Sequence, residues 1–284
     1  MVSLSKDNTV GGEALDCTEQ MIQWIECSLI FDGREAEFAR LLEKLGSVDE
    51  VLAAAGRTEK AINVCAQRIL SSCGDDGIQI ITQADAGFPR SFFETIPPVL
   101  IYAKGDTKIL SSTHSVGIIG ARRASRYSLG ICERFASALA DKAVVVSGFA
   151  AGTDQCAHKA CIDAHGKTIA VLGCGIGHDY PSGSLELQRE IAAHGLVISE
   201  FAPKTKPVPE NFTRRNRLIS ALSQKLLVIE ASDTSGCLNT VNHALQQGRE
   251  VYVIPPNDIC SRRYAGQCSL IRDGANIAFQ PCDL

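Results

Sequence analysis

Two periods of apolar residues divide the chain. Between residues 14 and 73 apolar positions recur three and four apart (Met21, Ile22, Ile25; Phe38, Leu41, Leu42, Leu45), punctuated by Gly33, Gly46, Gly56 and Gly74. That spacing predicts short helices. From Ile78 the period changes, and IQIIT and PPVLIYAKGD read as strands around a short helix at FPRSFFETI. Apolar runs then alternate with helical stretches. VGIIG precedes SLGICERFASALADK, VVVSG precedes TDQCAHKACIDAHG, and TIAVLG precedes SLELQREIAAHG. LVISEF precedes RRNRLISALSQ, LLVIEA precedes LNTVNHALQQG, and EVYVIPP and SLIRDGA close the series. Continuous β-branched strands separated by such helices imply a mostly parallel sheet covered on both faces. The expected architecture is a doubly wound α/β domain over residues 76–284 behind a small helical domain over 1–75.

In such a sheet ligands bind outside the carboxyl ends of the strands. The unusual sequence collects there: GARRAS, SGFAAGTD, GCGIGHDYP, APKTKPVPENFTRRN, ASDTSGCLNT and PPND follow six successive strands. The turns bearing Gly120, Gly148, Gly152, Gly173 and Gly175 would expose backbone N–H groups suited to anions. A phosphate-bearing ligand is the natural inference.

Charge sharpens it. The net charge is −4, yet residues 203–226 hold six Lys and Arg against Glu210 alone. An acidic average with one basic stripe fits local recognition of a polyanion. Single strands are held by a cationic groove for the backbone and aromatic faces for the bases. Phe212 with Arg214, Arg215 and Arg217 offers both components within six residues. Read as the start of the RRNRLISALSQ helix, those cations oppose its dipole, which points to an anionic partner. The bland alternative places Phe212 in the core and the arginines on a solvated face.

Other chemistries fit less well. Neither GxxG at Gly117–Gly120 nor GxGxG at Gly173–Gly177 is GxGxxG opening a helix, and strand two lacks a ribose-binding acid. GKT at 166–168 lacks the upstream glycine of a P-loop and precedes a strand. Cys156, His158, Cys161 and His165 have metal-like spacing on one helix, where core packing is the simpler reading. Ser147 is not in GxSxG, and Asp154 and Asp179 suit a helix start or turn. The expectation is no catalytic residue, metal or cofactor. No apolar run approaches the roughly 20 residues of a membrane span, and MVSLSKDNTVGGEALD has no leader pattern. A cytoplasmic protein with reduced cysteines is expected.

Residues 117–275 resemble the DprA/Smf (DNA-processing protein A) family. GARRAS is similar to its GSR segment, and SGFAAGTDQCAH to its SG-x-A-x-GID-xx-AH segment. TIAVLGCGIGHDYP, SEF, FTRRNRLIS, SGCLNT, ALQQGREV and LIRDGA follow in order, and FPRSFFETIPPVLIYAKGD resembles the lead-in. The resemblance implies a Rossmann-like core with a SAM or helix-hairpin-helix-like N-terminal domain, homodimerisation, binding and protection of incoming or exposed single-stranded DNA and help in loading a RecA-type recombinase, without catalysis. Carried over by residue, it implies DNA contacts from Arg122, Lys167, Phe212, Arg214, Asn216 and Arg217, with Ser235, Gly236 and Thr240. Arg122 and Lys167 are expected to converge from neighbouring strands. Pro255–Pro256 and Cys268 depart from the pattern in a part of the core that the resemblance links to the dimer. The sequence stops at Leu284 just after the last core strand, so a form without the family's winged-helix tail is expected. The alternatives on the same architecture are a LOG-like nucleotide phosphoribohydrolase, whose PGGxGTxxE glutamate SGCLNTVNH lacks, and a nucleotide-sensing module.

Overall fold

The computed structural model describes residues 17–56 and 60–284; the reading of residues 1–16 lies outside these. Four helices open the described chain: α1 (Cys17–Ile30), α2 (Glu35–Leu45), α3 (Val48–Ala54) and α4 (Lys60–Asp76). Gly46, at φ 90°, ends α2, and the Ser47 hydroxyl accepts from the Glu50 N–H to start α3. The helix breaks thus follow from a left-handed glycine and a side-chain cap.

Two strands, β1 (Gln79–Thr82) and β2 (Leu100–Gly105), come next, with a 3₁₀ turn at Arg90–Glu94 between them. The chain then alternates as the pattern predicts, through β3 (Ser115–Ile119), α5 (Arg126–Leu139), β4 (Val144–Ser147), α6 (Thr153–Asp163), β5 (Thr168–Leu172), α7 (Leu185–His194) and β6 (Leu196–Ser199). It continues through α8 (Pro209–Ala221), β7 (Lys225–Val228), α9 (Cys237–Gln246), β8 (Glu250–Val253), α10 (Ala265–Arg272) and β9 (Asn276–Ile277).

The strands form one sheet in the order β1-β2-β6-β5-β4-β3-β7-β8-β9. Only β2 runs against the rest, pairing antiparallel with both β1 and β6. Successive positions on each strand serve opposite faces. Ile101, Val171 and Val228 pack under α8 and α9, whereas Tyr102, Leu172 and Val197 share a core with Trp24, Phe31 and Phe38 of the N-terminal helices. Helices α5 and α6 cover Ile118 and Val145 beside them. From β3 the chain winds outward through β4, β5 and β6, then returns to β7 on the other side of β3. The crevice at the carboxyl ends of β3 and β7 is the topological switch point, where a doubly wound sheet opens to a ligand.

Candidate nucleic-acid interface

A cleft of about 660 Å³ occupies that switch point. Gly120 and Arg122 after β3 form one wall, Ser235, Gly236 and Thr240 around the start of α9 another, and Phe212 and Asn216 of α8 a third. A smaller pocket of about 170 Å³ adjoins it across Arg122, Tyr180 and Phe212, and includes Gly148 and Gly173. Gly152, at φ 83°, is the N-cap of α6 behind this edge. Most of the residues expected at the site therefore meet there.

Phe212 owes its position to helical periodicity. Phe212, Asn216 and Ile219 are four and three apart, so one face of α8 lines the cleft. The ring rests on the backbone at Gly173, where an added Cβ would lie 2.6 Å from Cδ1. The Tyr180 ring lies 5.1 Å away between centroids, and the exposed Arg122 guanidinium 5.7 Å from the Phe212 centroid. Such spacing suits cation–π attraction. Arg122 has no ion-pair partner among the described residues. Asn216 Nδ2 donates to Asn239 Oδ1 at 3.3 Å and ties α8 to α9.

The three arginines of α8 do not present themselves together. Arg217 is buried, and its two terminal nitrogens donate to the two oxygens of buried Glu200 at 2.8 and 2.7 Å. Arg214, on the same face three residues earlier, reaches Asp32 at 2.8 Å, Glu35 at 3.5 Å and Glu200 at 3.6 Å, with its guanidinium 4.5 Å from the centre of the Phe201 ring. Burial pushes the Glu200 carboxyl up, but the Arg217 and Arg214 guanidinia prevail and hold it below its usual range. The expectation that Arg214 and Arg217 hold phosphates is thus corrected: their charges are spent on carboxylates that fix α8 to β6 and to the N-terminal helices.

Arg215 is buried as well. It donates to the Gly148 carbonyl at 2.6 Å and to the Val171 carbonyl, and its Nε donates to Asn216 Oδ1 at 3.2 Å. Burial lowers its pKa to about 10, against the attraction of Asp154. It lines the cleft floor and lies 5.9 Å from the centre of the Phe212 ring, so it supports the ring from beneath. The dipole inference falls too, because α8 begins at Pro209 and the arginines lie in its second and third turns.

Lys167 is the other correction. It immediately precedes β5, at the amino edge of the sheet, with Nζ 3.8 Å from Asp106. Arg122 follows β3 at the carboxyl edge, and β4 lies between those strands. The two charges do not converge. Gly175 also lies outside both pockets and instead admits the 202–205 loop.

Asp154 lines the cleft. Burial raises its pKa to about 6, opposed by Arg215 and by the Ala150 N–H, which donates to it at 3.2 Å. On α6, His158 Nδ1 lies 2.7 Å from Thr168 Oγ1, and Cys161 Sγ donates to the Lys167 carbonyl at 3.3 Å. Among the described residues no three His, Cys, Asp or Glu groups are placed to hold a metal ion. Sequence reasoning missed Tyr180, although GHDYP follows the carboxyl end of β5, and it missed Glu200 of SEF as the acid that claims two arginines.

A family model described as DNA recombination-mediator protein A matches residues 79–284. DNA processing protein DprA of Bacillus subtilis is 35% identical over 221 residues, which are 76% of this chain and 73% of that protein. The X-ray structure of DNA processing protein A from Streptococcus pneumoniae matches with a TM-score of 0.73 at 28% identity, over 94% of this chain and 93% of that one. A structure of DNA processing protein A from Helicobacter pylori, described for its single-stranded DNA binding mode, matches with a TM-score of 0.65 at 30% identity, over 72% of this chain and 93% of that one.

Proposed function

The chain belongs to the DNA recombination-mediator protein A (DprA/Smf) family, and on that premise we propose that it binds single-stranded DNA at the switch-point cleft. The observation that carries this reading is the Phe212 ring in the cleft with Tyr180 and the Arg122 guanidinium beside it, the latter without an ion-pair partner among the described residues. A base can stack on an aromatic face while a neighbouring cation meets the backbone phosphate. Ser235 and Gly236 at the start of α9 add hydroxyl and backbone donors on the opposite wall.

The protein acts by binding, without turnover. Asp154 is the single carboxylate among the described residues lining the cleft, which leaves no acid–base pair for a phosphoribohydrolase. The bound strand is handed to a RecA-type recombinase, a role supported by the family description as a recombination mediator. The working form is a homodimer joined through the α/β core, a reading supported by edge strand β9, which leaves Ile277 and Phe279 exposed. No helix among the described residues is long and apolar enough to cross a membrane, which is compatible with a place in the cytoplasm.

The test is a titration with single- and double-stranded oligonucleotides of equal length across a range of salt. Single strands should bind better, because a paired base cannot offer its face to Phe212. Arg122→Ala should weaken all sequences and reduce the magnitude of the salt slope by about 0.7. Phe212→Ala should cost about 1–3 kcal/mol with the slope unchanged. Lys167→Ala, on the far edge, should leave both unchanged. Wild-type binding by Arg122→Ala and Phe212→Ala together would place the strand elsewhere.

A further inference from the structure

A second cleft, of about 360 Å³, lies on the other side of the loop that joins β5 to α7. That loop lends Tyr180 to the first cleft and His178 to the second. The β6–α8 connection is shared in the same way, with Pro207 facing the first and Lys204 the second. The second cleft has a floor of Ile78, Ile176 and Val197 beneath a rim of Lys104, Arg189 and Lys204. None of the three cations has an ion-pair partner among the described residues. Among the described residues Asp76 is the one acid in the lining, which against the three cations leaves a net charge of +2. Unpaired like charges gathered in one concave site repel each other and focus an attractive field on an anion.

Two further observations point the same way. Lys204 holds a left-handed backbone at φ 73°, a conformation that L residues with a Cβ rarely adopt. It is held there by the crossing of two loops. Gly175 N donates to the Thr205 carbonyl at 3.0 Å, and an added Cβ at Gly175 would lie 2.4 Å from the Ala202 carbonyl oxygen and 2.7 Å from Lys204 N. Backbone outliers of this kind are kept where the surroundings enforce them, often at ligand sites. In addition, His178 Nε2 is enclosed and has no hydrogen-bond partner among the described residues. An apolar floor under a cationic rim suits a flat ring carrying a phosphate, and the volume suits one such unit.

We infer that this cleft is a second site, which takes a single nucleotide through its phosphate and its ring. With a free nucleotide the inference stands apart from the strand reading of the first cleft; with the strand as source it rests on that reading. The nucleotide is either free or the next unit of a bound strand, and the test separates the two. Thymidine monophosphate is titrated into Arg122→Ala protein, whose first cleft has lost its unpaired cation. It is also titrated into the same variant carrying Lys104→Ala and Arg189→Ala. Both side chains reach solvent, so the fold is retained. The added substitutions should weaken binding about tenfold or more, the scale of one lost charge-assisted contact. With the strand as source, Lys104→Ala/Arg189→Ala alone weakens a 20-nucleotide thymidine strand but not a 5-nucleotide one. With the free nucleotide as source, the monophosphate still binds wild-type protein saturated with the 20-mer. The inference is overturned if the monophosphate binds both proteins equally. It is also overturned if the monophosphate binds neither at millimolar concentration while the 20-mer keeps its wild-type affinity and salt slope in Lys104→Ala/Arg189→Ala.

Discussion

Gly173→Ala tests the Phe212 reading without touching a charge or the ring itself. Gly173 does not have a left-handed φ, so alanine brings only its methyl group. That Cβ would stand 2.6 Å from Phe212 Cδ1, 2.8 Å from Cε1 and 3.1 Å from Cγ. Carbon atoms prefer about 3.5–4.0 Å, so the ring must retreat by roughly 1 Å. Tyr180 and Arg122 lie beside the ring, so its retreat disturbs the arrangement proposed to receive a base. Overpacking of this kind costs about 1–3 kcal/mol of stability, which urea unfolding measures. The loss of one stacked base adds about 1–3 kcal/mol to binding, about 5- to 150-fold in Kd. The salt slope should stay at its wild-type value, because no phosphate contact is removed. Fluorescence anisotropy with a labelled thymidine oligonucleotide supplies both quantities. The decisive arm is a double-mutant cycle. In a Phe212→Ala background, Gly173→Ala should have no further effect, since the group it strikes has gone. Wild-type affinity for Gly173→Ala, or an equal loss with and without Phe212, would refute the placement of a base on that ring.

Four further outcomes can be measured. Glu200→Gln leaves Arg217 buried without its counter-charge and should cost about 3–5 kcal/mol in urea unfolding; a gain in DNA affinity instead would mean that Arg214 and Arg217 serve phosphates after all. His158, held to a pKa of about 3 by burial, stays neutral as the unfolded chain protonates, so its contribution is present above pH 6.5 and is lost on acidification, about 2 kcal/mol by pH 5. Asp154, raised to about 6, works in the opposite sense: its contribution is present below the ordinary 3.8 and is lost as pH rises through 6. Wild type should therefore gain about 1.4 kcal/mol relative to Asp154→Asn between pH 7 and pH 5, and a pH-independent difference in thermal or urea unfolding would remove the assigned shift. For the dimer, the mass from light scattering at micromolar protein should exceed the 30.4 kDa of one chain, and a monomer with and without DNA would end that reading.

The pattern of strands and helices was legible because it is local: an apolar run of five and a helix of three turns each carry their own period. The direction of β2 was not legible, since PVLIYA is equally apolar read either way and its antiparallel pairing comes from β6, about a hundred residues later. The arginines show the same limit for charge. RRNR reads as free positive charge until Glu200, just after β6, Asp32 of the turn between α1 and α2, and Glu35 at the start of α2 are brought against it. An arginine's role depends on whether a carboxylate lies within about 4 Å, and that is settled by tertiary contacts that leave no trace in local spacing. Arg122 differs in that no acid among the described residues pairs with it. Lys167 is instructive in the opposite way, because the chain alone contained the answer. A lysine that enters a parallel strand and an arginine that leaves another must stand at opposite edges of the sheet. A five-residue strand such as β5 (Thr168–Leu172) separates those edges by about 16 Å. Topology, applied before the resemblance, would have removed Lys167 from the site and left the Arg122 and Phe212 pair standing.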